Sequence, residues 1–231
     1  MYEWVDGENK NPLIGECEHD CSYCYVKKLK RNPTLKKRYS GTIRLDEKIL
    51  KSVVREKTRF LCSCNDLFAE NVPDDYIKRI LKWAASQDGV EWVIQSKNPR
   101  RMMLWKTFAD QISSHRENHT EECFSVFQWG TTIETNRDTS EYTKAPQMRF
   151  VDGLDFVTIE PIMEFDLYAL FELLVATKPH FVNIGADSRL PKERNLPEPS
   201  MSKVMSLIRM LKKAGIEVRE KENLKRITGG K

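Results

Sequence analysis

Nowhere in the 231 residues is there an uninterrupted apolar run of about 18, the length that spans a bilayer, and the amino terminus lacks the basic-then-apolar pattern of a secretory leader. A soluble, cytoplasmic protein is the expectation. Linkers, low-complexity tracts and internal repeats are missing too, so the chain reads as one domain over 1–231, with a short flexible tail near 227–231. In a reducing compartment the six cysteines argue for metal binding, redox chemistry or core thiols before disulfides. Excess charge is small as well, with 38 Lys and Arg against 34 Asp and Glu. Two stretches depart from that balance: Lys27 to Arg38 holds seven basic residues and Lys97 to Lys106 four, neither with an acid. Such runs face phosphate groups or simply water.

What the sequence does have is an alternation of apolar runs with helical patterns. Strands are expected at 11–15, 59–65, 91–97, 125–134, 155–162, 180–186 and 216–221, and helices at 22–30, 47–57, 74–86, 100–115, 139–149, 167–177 and 200–214. Each strand is followed by a helix until the chain ends, which is the pattern of a parallel βα architecture. Helix limits have chemical support. Pro73 with Asp74 and Asp75 places carboxylates at a helix start, Ser200 offers a capping hydroxyl, and Gly89 and Gly215 follow helix ends. In such folds functional groups collect after the carboxyl ends of strands. Here those positions are polar: Asn65 and Asp66, Ser96 to Asn98, Thr131 and Thr132 with Glu134 and Asn136, Glu160, and Asp187 with Ser188.

The first rim loop, GECEHDCSYCY, carries Cys17, Cys21 and Cys24 within eight residues and no fourth cysteine. A structural zinc site takes four ligands, so a fourth would come from His19, Cys62, Cys64 or Cys123. The four-cysteine spacing of a bacterial ferredoxin is different. Three thiolates suit three irons of a [4Fe–4S] cube and leave the fourth iron open to a substrate or cofactor. An electron-transfer protein would gain little from an open iron and a polar rim. A zinc-stabilised nucleic-acid-binding module without catalysis stays as the alternative.

The spacing Cys-x3-Cys-x2-Cys, with Tyr23 just before the last cysteine, resembles the motif of the radical SAM superfamily. The chain also resembles a short, phage-associated group of radical SAM-like proteins of largely unknown function. The pieces that carry this likeness are Asn11-Pro12, the run Ser63 to Phe68 with Val72-Pro73, Ser96 to Pro99, Gly130 to Glu134, Phe156 to Ile162 and Val182 to Gly185. The amino-terminal piece looks like the spore photoproduct lyase-like branch, which acts on DNA. The resemblance implies an α/β fold, a partial (βα)6 TIM-like barrel of the radical SAM type with parallel strands and outer helices. It implies that Cys17, Cys21 and Cys24 ligate the cluster and that S-adenosyl-L-methionine chelates the fourth iron. Reductive cleavage would release a 5′-deoxyadenosyl radical that abstracts hydrogen from a substrate, with an external one-electron reductant of flavodoxin or ferredoxin type as partner.

On that reading Tyr23 lies near the adenine, and Asn65 and Asp66 take the place of the superfamily's Gly-Gly-Glu segment and accept from the methionine ammonium. Ser96, Lys97, Thr132, Glu134 and Asn136 are candidates for the carboxylate and ribose, and Glu160 and Asn183 for cofactor or substrate. Cys62 and Cys64, two apart, are expected on one side of a strand in the core. Cys64, nearer the rim, is a candidate hydrogen donor to a product radical. His115, His119 and Cys123 stand four apart but read as an exposed helix end and loop, and His180 as a strand start. Of Trp4, Trp83, Trp92, Trp105 and Trp129, all conceivable stacking platforms, Trp83 and Trp105 fit helical apolar faces and Trp129 is expected near the rim, lining a pocket. The expected substrate is a nucleotide or nucleic-acid base.

Overall fold

The computed structural model describes residues 5–55, 57–113, 126–147, 149–193 and 195–229. Six strands form one parallel sheet in chain order: β3 (Lys57–Leu61), β4 (Val90–Ser96), β5 (Phe127–Ile133), β6 (Phe156–Ile159), β7 (Phe181–Ile184) and β8 (Glu217–Glu220). Neighbours in sequence are neighbours in the sheet, the order in which successive parallel crossovers lay strands down. Preceding it, β1 (Leu13–Ile14) pairs antiparallel with β2 (Arg44–Leu45). The helices are α1 (Tyr25–Leu29), α2 (Pro33–Arg38), α3 (Glu47–Leu50), α4 (Asp74–Ala85), α5 (Pro99–Ser113), α6 (Leu167–Thr177), α7 (Met201–Lys213) and α8 (Lys225–Thr228). No helix among the described residues is long and apolar enough to cross a membrane.

The chain divides into two compact units, Met1–Asp20 with Cys24–Trp129, and Cys21–Tyr23 with Gly130–Lys231. In the first, α4 buries Ile77, Ile80, Leu81, Trp83, Ala84 and Ala85, the spacing of one helical face, and Trp83 packs 5.4 Å from Trp92. Asp74 and Asp75 occupy its first turn, as expected. In the second, Phe156 stacks on Phe181 at 5.3 Å, and Gly130 leaves the room this ring needs, since a Cβ there would lie 2.2 Å from it. Ser200 caps α7, its hydroxyl accepting from the Lys203 N–H at 3.3 Å.

Several expected elements differ. The strand expected at 11–15 is not a member of the large sheet. The chain runs beside β3 earlier, through Gly7 N–H to Thr58 O (3.0 Å), Lys10 N–H to Phe60 O (2.9 Å) and Cys62 N–H to Lys10 O (2.8 Å). Pro12 has no N–H to continue that ladder, and the chain turns to pair with β2 instead. Gly15 completes the turn at φ +106°, where a Cβ would lie 2.5 Å from Thr42 O.

The helix expected at 139–149 does not form. Its polar side chains bind nearby backbone instead: Asp138 accepts from Ser140 N–H (2.8 Å), Gln147 from Thr139 N–H (2.8 Å) and Thr143 from Ala145 N–H (3.1 Å), and Pro146 offers no donor. The helix expected at 47–57 stops at Leu50, before the β-branched pair Val53 and Val54. The basic segment holds a helix that was not expected, α2, started by Pro33 and capped by the Asn32 carbonyl. The tail expected near 227–231 is helical as far as Thr228.

Candidate functional site

Residues 15–24 form the loop between β1 and α1, and Cys24 is the residue that opens α1. Cys17, Cys21 and Cys24 carry reduced thiols; Cys21 is buried, the other two half-buried. Among the described residues, no three His, Cys, Asp or Glu side chains are gathered as a single metal ion would need them. His115, His119 and Cys123 lie outside the described residues, as does Trp4.

In the first unit the rim after β3 and β4 is organised by Asp66. Its Oδ1 accepts from Ser96 Oγ (2.7 Å) and Phe68 N–H (3.0 Å), and its Oδ2 from Lys97 N–H (2.6 Å) and meets His19 Nε2 at 2.9 Å. Burial alone would raise this carboxyl, but the imidazole and these donors outweigh it and hold it below the ordinary carboxylate range. Asp66 is thereby an internal brace, tying the cysteine loop through His19 to the ends of β3 and β4. Its neighbour is different. Asn65 Nδ2 donates to Leu13 O (3.2 Å) and Gly15 O (3.4 Å), while its buried Oδ1 has no hydrogen-bond partner among the described residues.

β3 ends at Leu61, so Cys62 and Cys64 lie in the turn beyond it, on different terms. Cys62 is buried at φ +59°, and burial pushes its thiol well up. Cys64 is half-buried, with its sulfur 3.5 Å from the Tyr25 hydroxyl, which donates to Ser63 O at 2.8 Å.

In the second unit the rim after β5 is organised by Glu134, which is fully buried. Its Oε1 accepts from the Tyr23 hydroxyl at 2.5 Å and its Oε2 pairs with Arg149 Nη1 at 2.6 Å. Arg149 also donates to Thr132 O (3.1 Å), Thr139 Oγ1 (3.0 Å) and Pro146 O (2.6 Å). Burial, then the Glu134 charge, drives the Tyr23 phenol far above its usual range, so it stays a hydrogen-bond donor. The preceding loop residues bind the same connection: Cys21 Sγ lies 3.2 Å from Thr143 Oγ1, and Ser22 N–H donates to Tyr142 O at 2.8 Å.

A family model described as "Protein of unknown function (DUF5131)" matches residues 2–201. The chain belongs to this family. Among solved structures, a tyrosine-to-phenylalanine variant of spore photoproduct lyase is similar, with a TM-score of 0.52 and 10% identity over 90% of this chain and 74% of that one. A double variant of spore photoproduct lyase with bound AdoMet and dinucleoside spore photoproduct gives 0.47 and 13% identity over 87% and 60%. No curated protein matches. The first similarity shows a shared α/β fold, built in the DUF5131 chain on its six-stranded parallel sheet.

The structure of this DUF5131 member groups Asp66, Ser96 and Lys97 in one network and Tyr23, Thr132 and Glu134 in another, while Asn65 binds Leu13 O and Gly15 O and Cys21 meets Thr143. Three further expected residues stand apart from both. Asn136 exchanges hydrogen bonds with the backbone of Asp166 (3.0 and 3.4 Å), Asn183 Nδ2 donates to Thr158 Oγ1 (3.1 Å), and Glu160 receives Lys221 Nζ (2.6 Å) and Asn223 Nδ2 (2.8 Å). Trp129 does not line a rim pocket. It is 1% exposed and packs on Phe127 at 5.6 Å and Phe68 at 6.2 Å, within the core of the first unit.

Arg149 and Thr143 had no signal in the sequence beyond lying in a segment that reads as a helix. A groove of about 690 Å³ is lined by Asp6, Lys10, Val54, Lys57 and Arg59 among others. It lies along the amino-terminal half of β3, away from the strand ends that carry these networks.

Proposed function

We propose that this protein is a radical SAM enzyme, with Cys17, Cys21 and Cys24 holding a [4Fe–4S] cluster and Asn65 helping to hold S-adenosylmethionine. The observation that carries the reading is the pairing of a three-thiol loop with a buried, unsatisfied acceptor. The donor set fits. A single tetrahedral ion needs all its ligands about 2.0–2.3 Å from one centre, whereas a cube takes each thiolate at a different corner. A buried carbonyl without a partner is costly, by about 1–3 kcal/mol, and an ammonium donor would relieve it. The chemistry supplied by the bound pair is reductive cleavage of the sulfonium, followed by hydrogen abstraction from a substrate carbon.

The chain's own residues bind and orient. Asp66 fixes the backbone of Lys97, and the charge of the Lys97 ammonium complements the methionine carboxylate. Tyr23 is held by Glu134 with its ring on the cysteine loop, so Glu134 acts on the adenine region through Tyr23. Cys64, half-buried beside the Tyr25 hydroxyl, is the candidate donor of a returning hydrogen atom.

For the substrate we favour a nucleotide or nucleic-acid base, a modified base of phage DNA being the narrower option. The electrostatic support is reduced by pairing, since Lys27, Lys30 and Arg38 meet Asp20, Glu16 and Asp46 at 2.5–2.8 Å. Lys36 and Lys37 on α2 stay exposed beside the loop and carry the remaining case for phosphate contact. The electron comes from a flavodoxin- or ferredoxin-type partner.

Anaerobic reconstitution with iron and sulfide tests the proposal. It requires about four irons per chain and 5′-deoxyadenosine formation that depends on reductant. Tight tetrahedral zinc on the same cysteines, with no cleavage, would overturn it in favour of the zinc-stabilised binding module.

A further inference from the structure

We infer that Thr143 is a positioning residue for the cluster, donating its hydroxyl hydrogen to the Cys21 sulfur and raising the cluster's reduction potential. The inference rests on the reading of Cys17, Cys21 and Cys24 as ligands, and goes beyond it by making those ligands inequivalent.

Thr143 lies in the connection after β5, where side chain to backbone bonds replace the expected helix. It is 3% exposed, and its Oγ1 stands 3.2 Å from Cys21 Sγ. The same oxygen accepts from Ala145 N–H at 3.1 Å. A threonine hydroxyl has one hydrogen and two acceptor positions. A thiolate ligand has no hydrogen to give, so in the hydrogen bond that joins the two the threonine hydroxyl is the donor.

The loop that flanks the contact is anchored residue by residue. Ser22 N–H donates to Tyr142 O at 2.8 Å, and Tyr23 is held by Glu134, itself paired with buried Arg149. Cys21 is buried and takes this bond, whereas Cys17 and Cys24 are half-buried. Hydrogen bonds to ligand sulfurs and exclusion of solvent are among the determinants of cluster potential. A donor aimed at sulfur stabilises the reduced cluster, which carries one more negative charge, and so makes reduction easier.

The test compares reconstituted wild type, Thr143→Val and Thr143→Ser. The valine keeps the shape without the hydroxyl, and the serine keeps the hydroxyl. Midpoint potentials come from a redox titration followed by electron paramagnetic resonance. Deuterium couplings to the reduced cluster, measured after exchange into heavy water, report a hydrogen held against it. Thr143→Val is expected to weaken the reduction equilibrium about tenfold, ~59 mV lower for one electron, and to lose an exchangeable coupling that Thr143→Ser retains. Equal potentials in loaded wild type and Thr143→Val overturn the assignment, as does the absence of that coupling in wild type alone, a readout needing no variant to fold. A wild-type protein that takes up no cluster overturns the underlying reading of the cysteines instead.

Discussion

Asp66 and Glu134 are both buried carboxylates just past a strand end, but the two units neutralise them differently. Asp66 spreads its charge over two backbone N–H groups, a serine hydroxyl and the His19 imidazole. Glu134 pairs with a buried guanidinium and accepts from a phenol. A carboxylate satisfied by many small donors loses only a fraction of its support when one is removed. One that faces a full counter-charge loses more when that partner goes, because a whole charge is taken from beside a buried ion. Both brace the loop that bears the cysteines, so the contrast predicts where that loop can be loosened gently and where it fails abruptly.

The sharpest way to break the comparison is Arg149→Met. Taking the guanidinium from buried Glu134 is expected to cost about 3–5 kcal/mol of stability, read from urea denaturation. Adding Glu134→Leu should restore much of that loss, because it removes the stranded charge along with its partner. If Arg149→Met were nearly silent, the claim that one ion pair carries this region would fall.

Asp66→Asn should cost less, about 1–3 kcal/mol at neutral pH, since the amide oxygen still serves two of the four partners. Its pH dependence is the more telling readout. The Asp66 carboxyl is held below its unfolded value of about 3.9, so its contribution is present above that pH and is lost as the pH falls through the lower folded value. The stability gap between wild type and Asp66→Asn should therefore narrow on acidification. A gap that stayed constant from pH 7 down to pH 3 would mean that the carboxylate charge contributes nothing.

The contrast also marks what sequence could and could not reveal. Largely apolar runs such as Trp92-Val93-Ile94 and Phe156-Val157-Thr158-Ile159 specify strands because a fully buried parallel strand is mostly apolar on both faces, and Asp74 with Asp75 announces a helix start through local electrostatics. The cysteine spacing is likewise local and was visible at once. What stayed hidden were partners set by tertiary structure, such as Arg149 reaching back fifteen residues to Glu134, or Thr143 lying 122 residues from Cys21. The 139–149 segment reads as a helix, and short side chains with competing local bonds undid that. Trp129 reads as rim because glycine and threonines follow it, yet two phenylalanines draw it into the core.

Asn65 differs from both carboxylates in being incomplete, and its predicted effect on stability is the smallest. Asn65→Leu gives up two long hydrogen bonds, to Leu13 O and Gly15 O, and also removes a buried carbonyl that has no partner among the described residues. The losses and the gain offset each other, so the change in unfolding free energy should stay within about 1 kcal/mol. S-adenosylmethionine binding should respond far more, because the acceptor taken away is the one with capacity left for a ligand. A tenfold loss of affinity corresponds to about 1.4 kcal/mol, the scale of a single hydrogen bond to a charged donor. Equilibrium binding to the reconstituted protein measures it, alongside Asp66→Asn as the contrasting case whose acceptor atoms are already engaged. Should Asn65→Leu bind the cofactor as wild type does while Asp66→Asn does not, the roles of the two neighbours would be reversed: the saturated carboxylate would be the one that exchanges its partners for the ligand.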